Sequence, residues 1–332
     1  VPNDELTFVI GKGVPPLMDT LDLVAQGAGL YGDEQLTVTK VFVAGASEAT
    51  DIVSAGKGDL CPIGAEPVVT GYEVGVLLKM FMARMGTYTY VLCVLDDSPI
   101  QSLADFRGAT IGIHQIGARP LSGQIAVETA LQAAGLAKGE YKLEAIGFTD
   151  VALEALTSRR VTAAAFPFYE LIPYQIAGTR LRTFRHPVLK DVVNAGYAAS
   201  PATIASRGDA LGRFSRAIAK AALLVRWVPD AAARVMLEAL QKPFGESDVR
   251  LYASMFALWQ TELPAWDPTN PRIGYIAPEG MERYCRIIAE YGLTRNVVPT
   301  DAILTNQFIE TANDFDREKL KAFADLLSIP SV

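Results

Sequence analysis

The chain has 332 residues, half of them hydrophobic and a fifth charged, which is enough apolar material for about two domains with buried cores. Its formal net charge of -7 argues against a general nucleic-acid binder, which needs a basic face to neutralise phosphates. No apolar run approaches the roughly 20 residues that span a bilayer, and the longest, residues 74–82, is broken by Gly75 and Lys79.

Strand and helix patterns alternate from the start, which predicts an α/β fold with largely parallel sheets. Residues 6–10 read as a strand, followed by a helix carrying Leu17, Leu21, Val24 and Ala28 on one face. Residues 36–43 are the second strand. Ser47 is expected to cap a helix that runs to the turn Gly56-Lys57-Gly58. Residues 60–65 and 77–83 make the third and fourth strands, and 88–95 a further one that breaks at Asp96-Asp97-Ser98-Pro99. A new alternation follows: strand 110–113, helix 122–134 closed by Gly135, strand 141–146, helix 150–157 and strand 161–167. Residues 192–205 are expected to be extended, and the remainder almost wholly helical. There Phe214, Ile218, Ala221 and Leu224 share one face up to Pro229, and Met281, Tyr284, Cys285, Ile288 and Tyr291 share another between Pro278 and Gly292. The extended runs near residues 90 and 195 read as crossings between two lobes. Segments 47–66 and 150–169 echo each other, each a short helix, a polar turn, a strand of small residues and a loop near proline. Ligands of open α/β sheets sit at such strand-end loops.

Several motifs fail their structural context. Gly27-Ala28-Gly29-Leu30-Tyr31-Gly32 spells GxGxxG but lies at the end of a helix, where it reads as a terminating turn. Gly45-Ala46-Ser47-Glu48-Ala49 sits where a nucleophile elbow would, yet lacks the last glycine, and only His114 and His186 could serve as a base. No metal-ligand spacing occurs, so no metal and no cofactor are expected. Cys61, Cys93 and Cys285 are expected as buried free thiols, with a Cys61–Cys93 bridge as the alternative. The basic spots Arg159-Arg160 and Arg180 to Arg185 read as solvated surface.

Three segments suit a binding cleft. Residues 114–123 join a strand to a helix whose N-terminal amides, from Gly117 to Ser122, would attract an anion, with Arg119 adding a planar cationic fork. The alternative is that Ser122 caps the helix and Arg119 forms a surface ion pair. Phe166-Pro167-Phe168-Tyr169-Glu170 ends a strand, and alternation places Phe166 and Phe168 on one face, one to stack on a flat ligand and one to pack in the core. In the counterpart Pro62-Ile63-Gly64-Ala65-Glu66-Pro67, Glu66 either accepts hydrogen bonds from an amine or ring N–H or complements the next helix dipole.

The run Asp97-Ser98-Pro99-Ile100-Gln101-Ser102-Leu103-Ala104-Asp105-Phe106-Arg107-Gly108, followed by Thr110-Ile111-Gly112-Ile113, is similar to a segment of the NMT1/THI5-like family. That family comprises type II periplasmic binding proteins for sulfonates, taurine, nitrate and thiamine precursors. Phe106 and Arg107 stand where the family usually has Leu and Lys. Ser54-Ala55-Gly56-Lys57-Gly58-Asp59 resembles a second family segment, whereas Arg159-Arg160-Val161-Thr162 lacks its glycine and aspartate in the second half. The resemblance covers roughly residues 6–230. It implies a two-lobed fold with a helical C-terminal layer, lobe I being residues 1–92 and 196–332 and lobe II residues 93–195. It further implies a monomeric, non-catalytic solute-binding protein outside the cytoplasm that takes a small organic solute (an anion such as a sulfonate or carboxylate, or a heteroaromatic) and delivers it to the membrane permease of an ABC importer. The chain begins at Val1 without a basic-then-apolar leader, as a processed export product would. Carried over by position, the cleft loops are Val14-Pro15, Ala46-Ser47, Ala65-Glu66, Thr87-Tyr88, Gly117 to Gly123 and Phe166 to Tyr169, with Ser47 and Glu66 orienting the ligand's polar end. The alternative is an enzyme on the same fold, a lyase or a pyrimidine-precursor synthase. The cysteine-rich signature of that enzyme branch is missing from this sequence.

Overall fold

A computed structural model describes residues 3–11, 20–85, 87–116, 122–189, 192–193, 195–260 and 271–328. The strands are, in chain order, β1 (Asp4–Gly11), β2 (Leu36–Val43), β3 (Cys61–Gly64), β4 (Lys79–Met85), β5 (Tyr90–Leu95), β6 (Thr110–Ile113), β7 (Lys142–Ala145), β8 (Ala163–Pro167), β9 (Leu181–Arg185) and β10 (Ala195–Ala199). β1 pairs in parallel with β2, from Asp4 opposite Leu36 to Gly11 opposite Val43. A parallel bridge between Phe8 and Leu60 joins this ladder to β3. β10 lies between β3 and β4, antiparallel to both. In the second sheet the order is β7-β6-β8-β5-β9, with β6 parallel to β7 and β8, and β5 antiparallel to β8 and β9.

The two sheets share one design. Each sets a parallel trio beside a single antiparallel strand that arrives from the other sheet. β5 carries the chain out of the first sheet after β4, and β10 brings it back after β9. The two crossings expected near residues 90 and 195 are these strands.

The strands form where the sequence is apolar and β-branched. Leu6, Phe8, Val9 and Ile10 of β1 are all at most 2% exposed, as a strand covered on both faces requires. β2 is an edge strand with one solvated face, and Phe42 stands 56% exposed near its end. In β8, Ala163, Ala164 and Ala165 are fully buried, their small size letting helices approach both faces. Helix Thr20–Gly27 packs under helices Gly208–Trp227 and Pro229–Ala239, two members of the C-terminal helical layer. Phe214 anchors that contact, stacked on Tyr31 at 5.6 Å and edge-on to Tyr197 at 5.3 Å. Pro229 opens the second of these helices, where its missing N–H costs nothing.

Gly29 adopts φ 74°, the left-handed conformation that glycine tolerates best, so the GxGxxG run ends a helix as its context predicts. All three cysteines are free and buried.

Three sequence expectations need correction. The segment 192–205 is extended only over β10, after which Ser200 caps helix Pro201–Ser206 by accepting the Thr203 N–H at 3.0 Å. Helix Ala46–Ser54 begins two residues earlier than a Ser47 cap would place it, with Gly45 at the N-cap, so Ser47 lies inside the first turn and caps nothing. The basic stretch at 180–185 is not simply solvated surface, because most of it forms β9. There Arg182 donates to the carbonyls of Asp96 at 2.8 Å, Ser98 at 3.1 Å and Ile100 at 2.9 Å. Arg159 and Arg160 do stay at the surface, paired with Asp97 and Glu144.

Candidate functional site

The carboxyl ends of β2, β3, β6, β7 and β8 point into one cleft between the sheets, and each is followed by a helix that starts there: Ala46–Ser54, Ala65–Tyr72, Ser122–Ala133, Thr149–Thr157 and Phe168–Ile176. Of these, the helices beginning after Gly45, Gly64, Phe148 and Pro167 have no side-chain cap, and at the last of them the Phe168 N–H donates to the Thr89 carbonyl at 2.8 Å. Such N-termini carry partial positive charge and favour acceptor groups.

The cleft holds two adjoining chambers of about 450 and 220 Å³. Both are lined by Ala44, Gly45, Ala46 and Pro67 from the first lobe and by Tyr90, His114, Gln115, Ser122 and Phe148 around the second. The outer chamber adds Ser47, Glu48, Thr70 and Val76, and the inner one Gly11, Glu66, Arg84, Thr89, Tyr169, Glu170 and Ala195.

Local backbone geometry shapes the entrance. A Cβ on Gly11 would lie 2.7 Å from the Gly45 carbonyl carbon and 2.8 Å from the Ala46 nitrogen, so only glycine lets the end of β1 approach that helix. Glu48 reaches back to accept the Ala44 N–H at 2.7 Å, which fixes the turn before the helix.

Glu66 is 1% exposed and accepts a hydrogen bond from the Ser122 hydroxyl at 3.0 Å. This bond crosses the cleft, from the helix after β3 to the helix after β6. Tyr90, at the start of crossing strand β5, sits between the lobes. Burial holds its phenol well above the ordinary range, with Tyr169, Glu170 and Glu66 adding to the effect, so it remains a protonated donor. Burial and then Glu66 push the phenols of Tyr88 and Tyr284 the same way.

On the second lobe His114 is held on three sides. Its Nε2 lies 3.0 Å from Glu170 Oε2, Phe148 stacks on its ring at 4.6 Å, and Phe166 meets it edge-on at 5.6 Å. Arg84, next to the last residue of β4, is 2% exposed and lines the inner chamber.

Of the residues singled out in the sequence, Ser47, Glu66, Ser122 and Tyr169 line the cleft together. Ala65 and Phe166 are buried behind it, and Thr87 and Tyr88 lie in the core, Tyr88 edge-on to His186 at 5.6 Å. Phe168 opens helix Phe168–Ile176, so strand alternation stops at Pro167 and its ring turns away beneath Arg185 at 5.4 Å. Val14, Pro15, Gly117 and Arg119 lie outside the described residues.

Arg84, Tyr90 and Phe148 were not singled out, and Glu170 was named only as the end of its run, without a role. An arginine inside an apolar strand is a signal for Arg84, since buried charge needs a reason. The echo between 47–66 and 150–169, extended two residues upstream, puts Phe148 opposite Gly45, and both prove to be helix N-caps.

Among the described residues no group of three or more His, Cys, Asp or Glu could hold a metal ion, and no helix is long and apolar enough to cross a membrane.

The fold is that of the periplasmic aliphatic sulphonate binding protein SsuA from Escherichia coli, with TM-score 0.67 and 16% identity over 90% of this chain and 91% of that one. The alkanesulfonate-binding protein SsuA from Xanthomonas axonopodis pv. citri bound to MOPS is similar at TM-score 0.67 and 14% identity, over 92% and 99% of the two chains. A mutant of DszB in complex with biphenyl-2-sulfinic acid has TM-score 0.58 and 15% identity, over 93% and 99%. No curated protein matches the sequence. The family described as NMT1/THI5 like matches residues 20–232, about the span its sequence segments suggest. With that match over most of the chain, and with this two-lobed fold around it, the protein belongs to the NMT1/THI5-like family.

Proposed function

We propose that the chain is the solute-binding component of an ABC importer, working outside the cytoplasm as a monomer, and that it captures a small organic solute between its lobes. The observation that carries this reading is the cleft itself. Strand ends from both sheets meet at two adjoining chambers, and the polar groups there (Glu66, Arg84, Tyr90, Ser122 and Glu170) come from both sides. A site divided in this way is completed only when the lobes are together, which couples ligand capture to lobe closure. Lobe I is taken as residues 1–92 and 196–332 and lobe II as 93–195, with β5 and β10 as the hinge strands. The closed form would be the one that docks on the membrane permease. The sulfonate-binding proteins sharing the fold support this assignment.

The groups present suit orientation of a ligand. The uncapped helix N-termini and Arg84 favour acceptors, and Glu66 and Glu170 favour donors. Arg119 and the amides from Gly117 to Ser122 would supply a further anion-binding wall, and Val14-Pro15 would close the first lobe's side.

A thermal-shift screen against a library of small organic solutes tests the assignment, because a true ligand raises the melting temperature in proportion to ln(1 + [L]/Kd). The expected result is at least one solute that shifts melting and is recovered unchanged after long incubation. Absence of any such solute, or its conversion to product at the His114–Glu170 pair, would overturn the assignment.

A further inference from the structure

The geometry points to a flat unsaturated ring as part of the solute, stacked on Phe148, an inference that rests on the solute-binding reading. Phe148 occupies a helix N-cap, a position that favours Ser, Thr, Asp or Asn because their side chains bond the first N–H groups. A phenylalanine there does no capping and leaves a large aromatic 37% exposed. Local rules broken in this way concentrate at functional sites. Phe148 lines both chambers of the cleft.

The ring is also held in place. His114 stacks behind it at 4.6 Å with the planes 26° apart, and Phe166 backs His114 edge-on at 5.6 Å. Glu170 Oε2 lies 3.0 Å from the imidazole Nε2. Across the cleft, the first-lobe wall at the same two chambers is made of Ala44, Gly45 and Ala46. Among the described residues, a Cβ built on Gly45 would meet nothing within 4 Å. An aromatic wall facing small residues makes a slot that fits a planar ring better than a puckered one, since stacking needs parallel faces. Phe166, one of the two residues expected from the sequence to stack on a flat ligand or pack behind it, serves one layer back.

The test is titration calorimetry with three matched pairs of probes: benzoate and cyclohexanecarboxylate, benzenesulfonate and cyclohexanesulfonate, benzylamine and cyclohexylmethylamine. Each pair keeps the head group and changes only ring planarity. At least one aromatic member is expected to bind tenfold or more tightly than its saturated partner. Phe148→Ala should remove that preference and Phe148→Trp retain it, with circular dichroism checking that both variants fold. His114→Ala should lower the aromatic preference, and His114→Phe should restore it. Equal binding of both members of every pair, an unchanged aromatic affinity in Phe148→Ala, or no binding by any aromatic probe would each overturn the ring assignment. If all aromatic probes fail while a non-aromatic library solute binds, the ring assignment falls and the solute-binding reading stands. If nothing binds in either experiment, both fall.

Discussion

His186 shows how one buried side chain sets a pH limit on the whole chain. Its Nδ1 accepts the N–H groups of Val188 at 3.1 Å and Leu189 at 3.0 Å, which leaves Nε2 to carry the proton and donate to the Thr129 hydroxyl at 2.9 Å. A second proton would have to sit on Nδ1, against two donors. Burial pushes the imidazole down to about 4. Above the unfolded-chain value of about 6.5 the residue is neutral in both states and its stabilising contacts are fully present. As pH falls from there toward 4, the unfolded chain takes up a proton that the folded chain refuses, so stability declines by up to about 3 kcal/mol. His186→Asn keeps an acceptor for the two N–H groups but does not titrate. Urea denaturation should therefore show a smaller loss of stability between pH 6.5 and 4 in the variant than in the parent. Equal slopes would show that His186 titrates normally. At Gly11 the constraint is steric. Gly11→Ala places a methyl against backbone atoms that cannot yield, at an expected cost of about 1–3 kcal/mol. Gly45→Ala, which meets nothing within 4 Å at φ −176°, should stay within about 0.5 kcal/mol of the parent in the same assay.

At the scale of elements, much was legible because the determinants are local. β2 and β6 fall where alternation places them, and Gly135 at φ 86° and Gly292 at φ 69° follow the helices they were expected to end. The misreadings arose where a distant partner decides. β9 looked like a basic surface run because its charges were visible and its neighbour β5, some ninety positions earlier by Leu95–Leu181 register, was not. Arg182 there reaches over to hold three carbonyls of the turn leaving β5, and so staples the chain's entry into the second lobe. Arg182→Met should cost about 1–2 kcal/mol, because partly exposed carbonyls can recover water in exchange. Hydrogen–deuterium exchange should rise specifically over residues 96–106, which include the capping box of Ser102 and Asp105. A uniform rise across the chain would mean that Arg182 acts on global stability alone. Phe168 was misplaced for a similar reason. The change from strand to helix at Pro167 depends on the helix finding a partner in the C-terminal layer, which period-two alternation cannot express.

For the molecule as a whole, two lobes and their crossings follow from patterns that repeat along the chain, but the character of the cleft depends on which distant side chains converge. Arg84 from the first lobe, Phe148 and Glu170 from the second, and Tyr90 from a crossing strand meet only after both sheets form. The Ser122–Glu66 bond is a direct consequence of that convergence, because it joins the lobes across the solute-binding space at 3.0 Å. Removing the hydroxyl leaves a 1%-exposed carboxylate with one donor fewer. Such a loss costs about 1–3 kcal/mol if the site stays shut. Opening the lobes admits water to Glu66 and relieves much of that cost, so the equilibrium should move toward the open form. A shift of 1.4 kcal/mol is a tenfold change in the ratio of the two forms. Ser122→Ala without solute should therefore give a larger radius of gyration by small-angle X-ray scattering than the parent, and Ser122→Thr, which restores a hydroxyl, should return toward the parent value. Identical scattering from all three proteins would show that the bond spans the cleft without helping to hold it closed.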